Sequence, residues 1–233
     1  MHRGTGIVPA QISVIIPTLD AEPVLPACLA ALIEGLSAGL IRELIITDGG
    51  SRDATQAIAE AAGAVFVVGP ASRGGQLRRA GMLARGNWLL VLHADADLQP
   101  GWSAAVADHL ARSGAPAHFR LRFRARGMMP ALVAGWANLR ARLFGLPFGD
   151  QGLLLRREDY DCAGGYPDQP LMEDVALVRA LSARPVALPA TILTSAERYR
   201  REGWLRRGAR NLWLQARYFA GADPAALDAA YRR

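Results

Sequence analysis

Two carboxylates and an imidazole follow an apolar run in the first half of the chain. Residues 88–92 are apolar and predict a buried strand. The residues that could do chemistry directly after it are His93, Asp95 and Asp97. Open α/β sheets bind ligands at the carboxyl ends of such strands, and carboxylates two residues apart suit a hard divalent cation that also binds substrate phosphates. The other interpretation is a polar loop in which Asp97 begins the helix after Pro100.

The elements that must position these side chains alternate between strands and helices. Strands are predicted at 12–16, 44–47, 64–68 and 88–92, and helices at 23–36, up to about 62, and 74–84. Ser51 is the predicted N-cap of the second helix. The alternation predicts a parallel sheet with helices on both faces and all strand carboxyl ends at one edge. The polar residues expected near that edge are Asp20, Asp48, Arg73 and Asp95.

The second half of the chain has a less regular pattern. Residues 118–126 alternate apolar side chains with four arginines, which predicts a half-exposed strand. We interpret it as a solvated edge strand guarded by charge, with an anion-facing strip as the alternative. Residues 128–148 predict an amphipathic helix that a dimer, a membrane or the core could cover. The other predicted elements are a strand at 151–155 and helices at 172–182 and 203–219.

The chain is long enough for one large domain with an elaboration. It has 233 residues, of which 51% are hydrophobic and 21% charged. We predict a main domain over residues 1–200 and a basic amphipathic helical extension over residues 201–233, packed on or beside it. Neither a secretory signal near the N-terminus nor a membrane-spanning segment is predicted. Two cysteines form no disulfide framework, so a reducing, cytoplasmic location is expected.

The charge favours anionic partners without selecting one class. The net charge is +6, and all 27 basic residues are arginine. A chain without lysine cannot contain the lysine of a Walker phosphate-binding loop. There is also no GxGxxG after the first strand, no HExxH and no GxSxG. The acidic edge of the sheet therefore suits a diphosphate held through a metal. No nucleic-acid recognition motif is present, so we expect no nucleic-acid partner.

Six segments in order resemble family 2 glycosyltransferases with a GT-A fold. The first is a strand followed by Pro17-Thr18 and an acidic run, and the second is the turn Asp48-Gly-Gly-Ser-Arg-Asp-Ala-Thr55. The remaining segments are the glycine-rich helix start at 73–81, the Asp-x-Asp-like run at 92–97, the Gly-Gly-Tyr-Pro loop at 164–167 and Met-Glu-Asp at 172–174. The His-Ala-Asp form and the short length are most similar to a bacterial branch associated with radical-SAM genes and named for arsenosugar biosynthesis.

The resemblance implies a role for individual residues. Asp48 would accept a hydrogen bond from the nucleotide base, and Arg198 would close over the diphosphate. The full set implied for the donor nucleotide is Pro17, Thr18, Leu19, Glu22, Asp48, Gly49, Arg73, Gly74, His93, Ala94 and Arg198. Asp95 and Asp97 are the implied metal ligands. Asp174 is the implied general base, with Glu173 beside it. The residues implied on the acceptor side are Gly164, Gly165, Tyr166 and Gln151.

The fold implied by the resemblance is a Rossmann-like, mostly parallel sheet flanked by helices, with a C-terminal helical extension. The implied reaction is metal-dependent, inverting transfer of a sugar from a nucleoside-diphosphate sugar, with UDP-sugar expected, to an acceptor hydroxyl. The implied cofactor is Mn²⁺ or Mg²⁺. A lipid-linked acceptor, a peripheral contact with the inner face of the membrane and a homodimer are further expectations. Three departures from the family pattern are Gly49 in place of a second Asp, His93 in place of the first acid, and Tyr199 in place of the Trp that often follows the Arg. The alternatives are a nucleotidyltransferase on a related fold and a non-catalytic module that binds nucleotides or an anionic surface.

Overall fold

The computed structural model describes residues 10–232, and one sheet of eight strands runs through this part of the chain. The expectation of no N-terminal signal falls largely on residues 1–9, which lie outside the described residues. The strands are β1 (Ile12–Thr18), β2 (Ile41–Asp48), β3 (Val65–Val68), β4 (Trp88–Val91), β5 (Asp97–Leu98), β6 (Ala117–Phe123), β7 (Leu153–Arg156) and β8 (Val186–Thr194). The helices are α1 (Leu25–Ser37), α2 (Thr55–Ala61), α3 (Arg73–Leu83), α4 (Trp102–Arg112), α5 (Met128–Phe144), α6 (Arg157–Cys162), α7 (Glu173–Ala180), α8 (Glu197–Glu202), α9 (Trp204–Phe219) and α10 (Pro224–Arg232). A 3-10 helix covers Gly149–Gln151.

The sheet has the strand order β3-β2-β1-β4-β7-β6-β8-β5. The first four strands in this order are parallel, and β7 is antiparallel to both β4 and β6. The register places Thr18 of β1 beside Asp48 of β2, so the carboxyl ends of these strands meet as expected for parallel strands. The predicted α/β fold, a mostly parallel sheet flanked by helices, is confirmed.

Side chains of β1 alternate between the two faces of the sheet, and each face is covered by helices. Val14 and Ile16 lie in a buried cluster that includes Leu25 of α1 and Trp102 of α4. Ile15 lies in the cluster on the other face, which includes residues of α3 and α7. Burying one aliphatic side chain of this size contributes ~1.5–3 kcal/mol. Burial on both faces explains why this strand is almost wholly apolar in sequence.

The arginine-containing strand is not an edge strand, so that interpretation of residues 118–126 is wrong. It forms β6, which pairs with β7 on one side and with β8 on the other. Arg120 and Arg122 are exposed on one face of the sheet, while their apolar neighbours are buried. The alternation therefore reflects one solvated face of the sheet. One backbone edge of β6 pairs with β7, and the other pairs with β8, a strand that was not predicted.

The C-terminal helices lie against the second half of the sheet domain. Helix α9 packs against α5, and both leave large apolar side chains in solvent. The exposed fractions reach 77% for Leu205, 58% for Leu132 and 52% for Trp213. Within residues 10–232, no helix combines the length and the apolar character needed to cross a bilayer.

Candidate active site

The carboxylate of Asp48 shapes the turn after β2. It is 2% exposed and accepts hydrogen bonds from the hydroxyls of Thr18 (2.8 Å) and Ser51 (2.5 Å) and from the backbone N–H groups of Gly50 and Ser51. Burial raises the pKa of Asp48, but the hydrogen bonds from Ser51, Thr18 and Gly50 outweigh it and hold the pKa below its usual value. A hydrogen bond to a nucleotide base would have to replace one of these donors.

The predicted N-cap role of Ser51 is wrong. Helix α2 begins at Thr55, its N-cap residue is Ala54, and no side chain caps it. The Ser51 hydroxyl donates to Asp48 and accepts from the backbone N–H of Asp20 instead. A nearby carboxylate therefore competes successfully with the helix N-terminus for this hydroxyl.

The segments 18–22 and 48–55 are laced together by reciprocal hydrogen bonds. Asp20 accepts from the Arg52 N–H, while the Ala21 N–H donates to the hydroxyl of Thr55. Glu22 accepts from the Ala54 N–H, and its own N–H donates to Asp53. Glu22, predicted in the nucleotide pocket, thus has a structural function in this lacing.

Gln76, which was not predicted from the sequence, joins the carboxyl ends of β1 and β2. Its side chain is 5% exposed and donates to the backbone carbonyls of Thr18 and Thr47, both at 2.8 Å. A single amide thereby holds β1 and β2 at the point where the site begins. An amide inside an otherwise small-residue helix start, Gly74-Gly75-Gln76, was the only sequence signal.

Three predicted site residues from distant parts of the chain converge on Gly149. A Cβ atom added to Gly149 would collide with the His93 imidazole, would lie 2.6 Å from Arg73 Nη2 and would lie 3.4 Å from Asp174 Oδ2. His93 follows β4, Arg73 begins α3 and Asp174 lies in the first turn of α7. Together with Pro17 they line a small cavity at the carboxyl ends of β1 and β4. This is the edge of the sheet where the sequence predicted a site.

Arg73 is held by a buried carboxylate. Its Nε lies 2.7 Å from Glu173 Oε1, and Glu173 is only 2% exposed. Burial raises the pKa of Glu173 to about 7, with Asp174 raising it further and Arg73 opposing both. Glu173 therefore orients Arg73, and its carboxylate is engaged inside the protein.

Asp174 is fixed by two backbone donors at the start of α7. The Gly149 N–H donates to its Oδ2 at 2.6 Å, and the Val175 N–H donates to its Oδ1 at 2.7 Å. An N-terminal helix turn favours a negative charge. The arrangement holds a carboxylate at the cavity wall beside Arg73 and His93.

His93, a predicted donor-binding residue, and Asp95, a predicted metal ligand, lie next to each other after β4. His93 Nδ1 lies 4.0 Å from Asp95 Oδ1, while Asp95 Oδ2 accepts from the Thr194 hydroxyl and the Ser195 N–H. Burial and the nearby charge of Arg73 lower the pKa of His93 to about 3, although Asp95 opposes this. The imidazole is therefore neutral near pH 7.

The prediction of Asp97 as a second metal ligand is not supported by its surroundings. Asp97 lies in β5, and its Oδ2 is 3.5 Å from Arg124 Nε. The alternative in which Asp97 begins a helix is wrong, because α4 begins at Trp102. Over the described range 10–232, no group of three or more His, Cys, Asp or Glu side chains is arranged to hold a metal.

Several other predicted site residues have structural surroundings. Gln151, predicted on the acceptor side, is fully buried and accepts from the Phe148 N–H. Gly74, predicted to bind the donor, donates its N–H to the Gln169 carbonyl, and the backbone of residues 167–169 covers the place where a side chain would be. Neither residue lines the cavity. The side chain of Gln151 is hydrogen-bonded inside the protein, and the Cα of Gly74 is covered by backbone.

The glycine pair after α6 forms a turn. Gly164 and Gly165 have φ angles of 81° and 71°, and their N–H groups donate to carbonyls of α6. Tyr166, which follows them, is 2% exposed and lines the cavity. The two glycines thus form a turn that positions Tyr166, and their acceptor-side contact stays a prediction.

The remaining predicted donor residues lie at the periphery. Leu19 is half exposed, Ala94 packs partly against the core, and the Gly49 N–H donates to the Thr18 carbonyl. Arg198 is exposed, and its Nη1 donates to the hydroxyl of Tyr231 at 2.8 Å. Arg198 is therefore held by α10 in this structure.

Asp150 is a site residue that the sequence analysis missed. Burial raises its pKa to about 6, with Arg140 lowering it and the carboxylates of Asp174 and Asp95 raising it. Its Oδ1 is buried and has no hydrogen-bond partner among the described residues. The signal available in sequence was a carboxylate inside the glycine-bracketed run Gly149–Gly152.

The comparison with family models covers the region that builds most of this site. Residues 13–127 match the family model for Glycosyl transferase family 2. Over this region the chain is therefore similar to family 2 glycosyltransferases. The enzyme class predicted from sequence, glycosyltransferase, is thereby confirmed. No curated protein matches the chain.

Solved structures with a similar fold include a glycosyltransferase complex with nucleotide and metal. Glucosyl-3-phosphoglycerate synthase from Mycobacterium tuberculosis, in complex with Mn²⁺, UDP and phosphoglyceric acid, is 21% identical with a TM-score of 0.54, over 84% of this chain and 75% of that chain. The complex of that enzyme with Mn²⁺ and UDP-glucose is 23% identical with a TM-score of 0.55, over 81% of this chain and 75% of that chain. At these identities the likeness establishes the GT-A fold alone.

Proposed function

We propose that the protein is a metal-dependent, inverting glycosyltransferase that moves a sugar from a UDP-sugar to an acceptor hydroxyl. The observation that carries the proposal is the convergence of Arg73, His93 and Asp174 around Gly149 within and beside a family 2 domain. The similar Mycobacterium tuberculosis enzyme was crystallised with UDP-glucose and Mn²⁺, which supports the choice of donor and cofactor. We also assign the chain to the arsenosugar-associated branch, on the His-Ala-Asp form of its motif.

The donor diphosphate is proposed to lie between Arg73 and Asp95. Arginine suits phosphate because its planar guanidinium donates two parallel hydrogen bonds, and Glu173 holds it in place at 2.7 Å. Asp95 and His93 fit a cation that arrives with the diphosphate, since Mg²⁺ sites commonly combine one or two carboxylates with substrate phosphates. When bound, the cation offsets the charge that develops on the leaving diphosphate.

Asp174 is the proposed general base. Its carboxylate lies on the cavity wall and accepts from the Gly149 N–H, which keeps it aimed into the site. The acceptor oxygen attacks the anomeric carbon, the bond to the diphosphate breaks, and the hydroxyl proton passes to Asp174. A single displacement with a single base inverts the anomeric centre.

The exposed apolar faces of α5 and α9 support a peripheral membrane contact. Leu132, Leu205 and Trp213 are at least half exposed, and arginines lie among them on α9. A basic amphipathic helix of this kind binds anionic lipid surfaces. Flotation with phosphatidylglycerol vesicles tests the contact, and a stable dimer in solution that buries the same face would contradict it. The cytoplasmic location and the division at residue 200 stay predictions.

The experiment that tests the function is a thermal-shift titration with UDP, with and without Mn²⁺. A ligand that binds only the folded state at about 100 times its Kd stabilises it by ~2.7 kcal/mol. UDP with Mn²⁺ should raise the Tm of the wild-type protein, and Asp95→Asn should remove the Mn²⁺-dependent part. Asp97→Asn is the matched control and should behave like the wild type. An equal UDP shift without Mn²⁺, or in Asp95→Asn, contradicts the proposal.

A further inference from the structure

A second cavity lies between α5, α9 and β6. Its volume is about 400 Å³, within the range of about 300–1,000 Å³ typical of small-molecule sites. Most of its wall is apolar. Each of the three elements contributes two of the large apolar side chains, which are Leu121, Phe123, Leu132, Trp136, Leu205 and Leu212. A ligand that fills it must therefore present mainly apolar surface.

The polar groups of this cavity include Asp150, Arg140 and Tyr199, and Asp150 differs from the other two. Arg140 donates to the Leu146 carbonyl and stacks on Phe148, and the Tyr199 hydroxyl accepts from Asn211. The Oδ1 atom of Asp150 is buried and lacks a donor among the described residues. Leaving a buried carboxylate oxygen without a hydrogen-bond donor costs folding free energy. A hydroxyl or amine of a bound ligand could donate to this atom and recover that energy.

The second cavity adjoins the catalytic one. Phe148 lines both cavities, and Asp150 follows directly on Gly149, whose N–H donates to Asp174. A molecule in the second cavity with its polar end at Asp150 therefore points that end toward the carboxylate proposed as general base.

We propose that this cavity binds the acceptor, and that the acceptor is an alcohol with an apolar body. The inference rests on the proposed function. The apolar body lies between α5 and α9. The hydroxyl donates to Asp150 in the resting complex and turns to donate to Asp174 when the sugar donor is in place. In the transfer step the hydroxyl oxygen bonds to the anomeric carbon, the electron pair of the broken bond leaves with the diphosphate, and the proton goes to Asp174. A free amphiphile and a membrane lipid share this chemistry.

The variant Gly208→Leu tests the cavity without disturbing the fold. Gly208 lines the cavity on α9, and a Cβ atom there has no neighbour within 4 Å, so leucine can enter the space. Leucine is also a better helix former than glycine. Gly135→Leu on α5 is the matched control, because its Cβ position is equally open and exposed but does not line the cavity.

The measurement is a fluorescence titration with 1-hexanol, 1-octanol and 1-decanol, since Trp136 and Trp204 lie in the wall. Affinity should rise roughly threefold to fourfold per added CH₂ group as apolar surface is buried. Gly208→Leu should weaken 1-decanol binding at least tenfold, and Gly135→Leu should stay within twofold of the wild type. Equal affinity in wild type and Gly208→Leu, no dependence on chain length, or tighter binding of phosphoglyceric acid than of 1-decanol overturns the inference.

Two further comparisons distinguish a membrane lipid from a free amphiphile, and a failure of this inference from a failure of the proposed function. Flotation with phosphatidylglycerol vesicles that is lost in Gly208→Leu but kept in Gly135→Leu assigns a membrane lipid, and 1-decanol binding by a protein that does not float assigns a free amphiphile. UDP and Mn²⁺ binding without 1-decanol binding overturns this inference alone. 1-Decanol binding without UDP binding overturns the proposed function and the acceptor role with it.

Discussion

The backbone N–H of Gly149 donates to Asp174 Oδ2 at 2.6 Å and joins two segments that lie 25 residues apart. The same glycine brings its bare Cα beside His93 and Arg73. Gly149 therefore lies at the centre of the group formed by His93, Arg73 and Asp174. The spacing of these three side chains depends on the absence of a side chain at position 149.

Replacing Gly149 with alanine should disrupt the site without unfolding the protein. The new methyl group would collide with His93 and lie 2.6 Å from Arg73 Nη2, and displacements of about 1 Å in a catalytic group cost ~100-fold in rate. We expect kcat/KM for sugar transfer to fall by that factor with an intact circular dichroism spectrum. Gly135→Ala, where the methyl group meets open space, is the control. Full activity in Gly149→Ala would show that the close approach has no catalytic importance.

Asp174→Asn should abolish transfer and leave donor binding intact. The amide oxygen can still accept from Gly149, but the side chain can no longer take up a proton. Loss of general-base catalysis lowers kcat by about 10²–10⁴. Steady-state turnover and UDP titration by calorimetry measure the two effects separately. A kcat within tenfold of the wild type would remove Asp174 from the mechanism.

The stability of the protein should depend on pH through Glu173. Its pKa is raised from 4.5 to about 7, so between these values the folded protein keeps a proton that the unfolded chain has lost. Stability therefore falls as pH rises from about 4.5 to 7, by up to ~3 kcal/mol, and levels off above pH 7. Urea unfolding across this range should show the slope, and Glu173→Gln should remove it. The exposed Glu158→Gln should keep the wild-type slope; a slope retained in Glu173→Gln would contradict the assignment.

Gln76→Leu should destabilise the edge of the sheet. The substitution removes the donors to the Thr18 and Thr47 carbonyls. Because Thr18 keeps its hydrogen bond from Gly49, we expect a loss of ~1–3 kcal/mol in the free energy of unfolding. Gln56→Leu, at an exposed pair on α2, should change stability by less than ~0.5 kcal/mol. Similar denaturation midpoints for the two variants would argue against the proposed role of Gln76.

The first half of the fold was predictable because its strands are buried on both faces. Apolar runs such as 12–16 and 88–92 are strong local signals, and they became β1 and β4. The position of β6 was not predictable, because it depends on β8, which pairs with it from about 70 residues further along the chain. Pro189 inside β8 weakens the strand signal of that partner.

The site was predictable where chemistry and strand ends coincide. Arg73 and His93 were expected near strand ends, Asp174 was implied by the family resemblance, and the three lie together. The burial of Gln151 was not expected, because it depends on partners such as Phe148 that become its neighbours only after folding. Asp150 was overlooked because its distinguishing feature, a buried carboxylate oxygen without a hydrogen-bond donor among the described residues, appears only in the folded structure.

The lacing between segments 18–22 and 48–55 has a consequence for turnover. Side chains of each segment hold backbone groups of the other, so the two segments are restrained against moving apart and this wall of the proposed nucleotide site is a fixed one. The opposite wall includes Tyr166, which follows the hydrogen-bonded turn at Gly164 and Gly165. Under the proposed function, departing UDP must therefore pass the side of the cavity lined by Tyr166, and a substitution that stiffens this segment should slow the cycle at product departure.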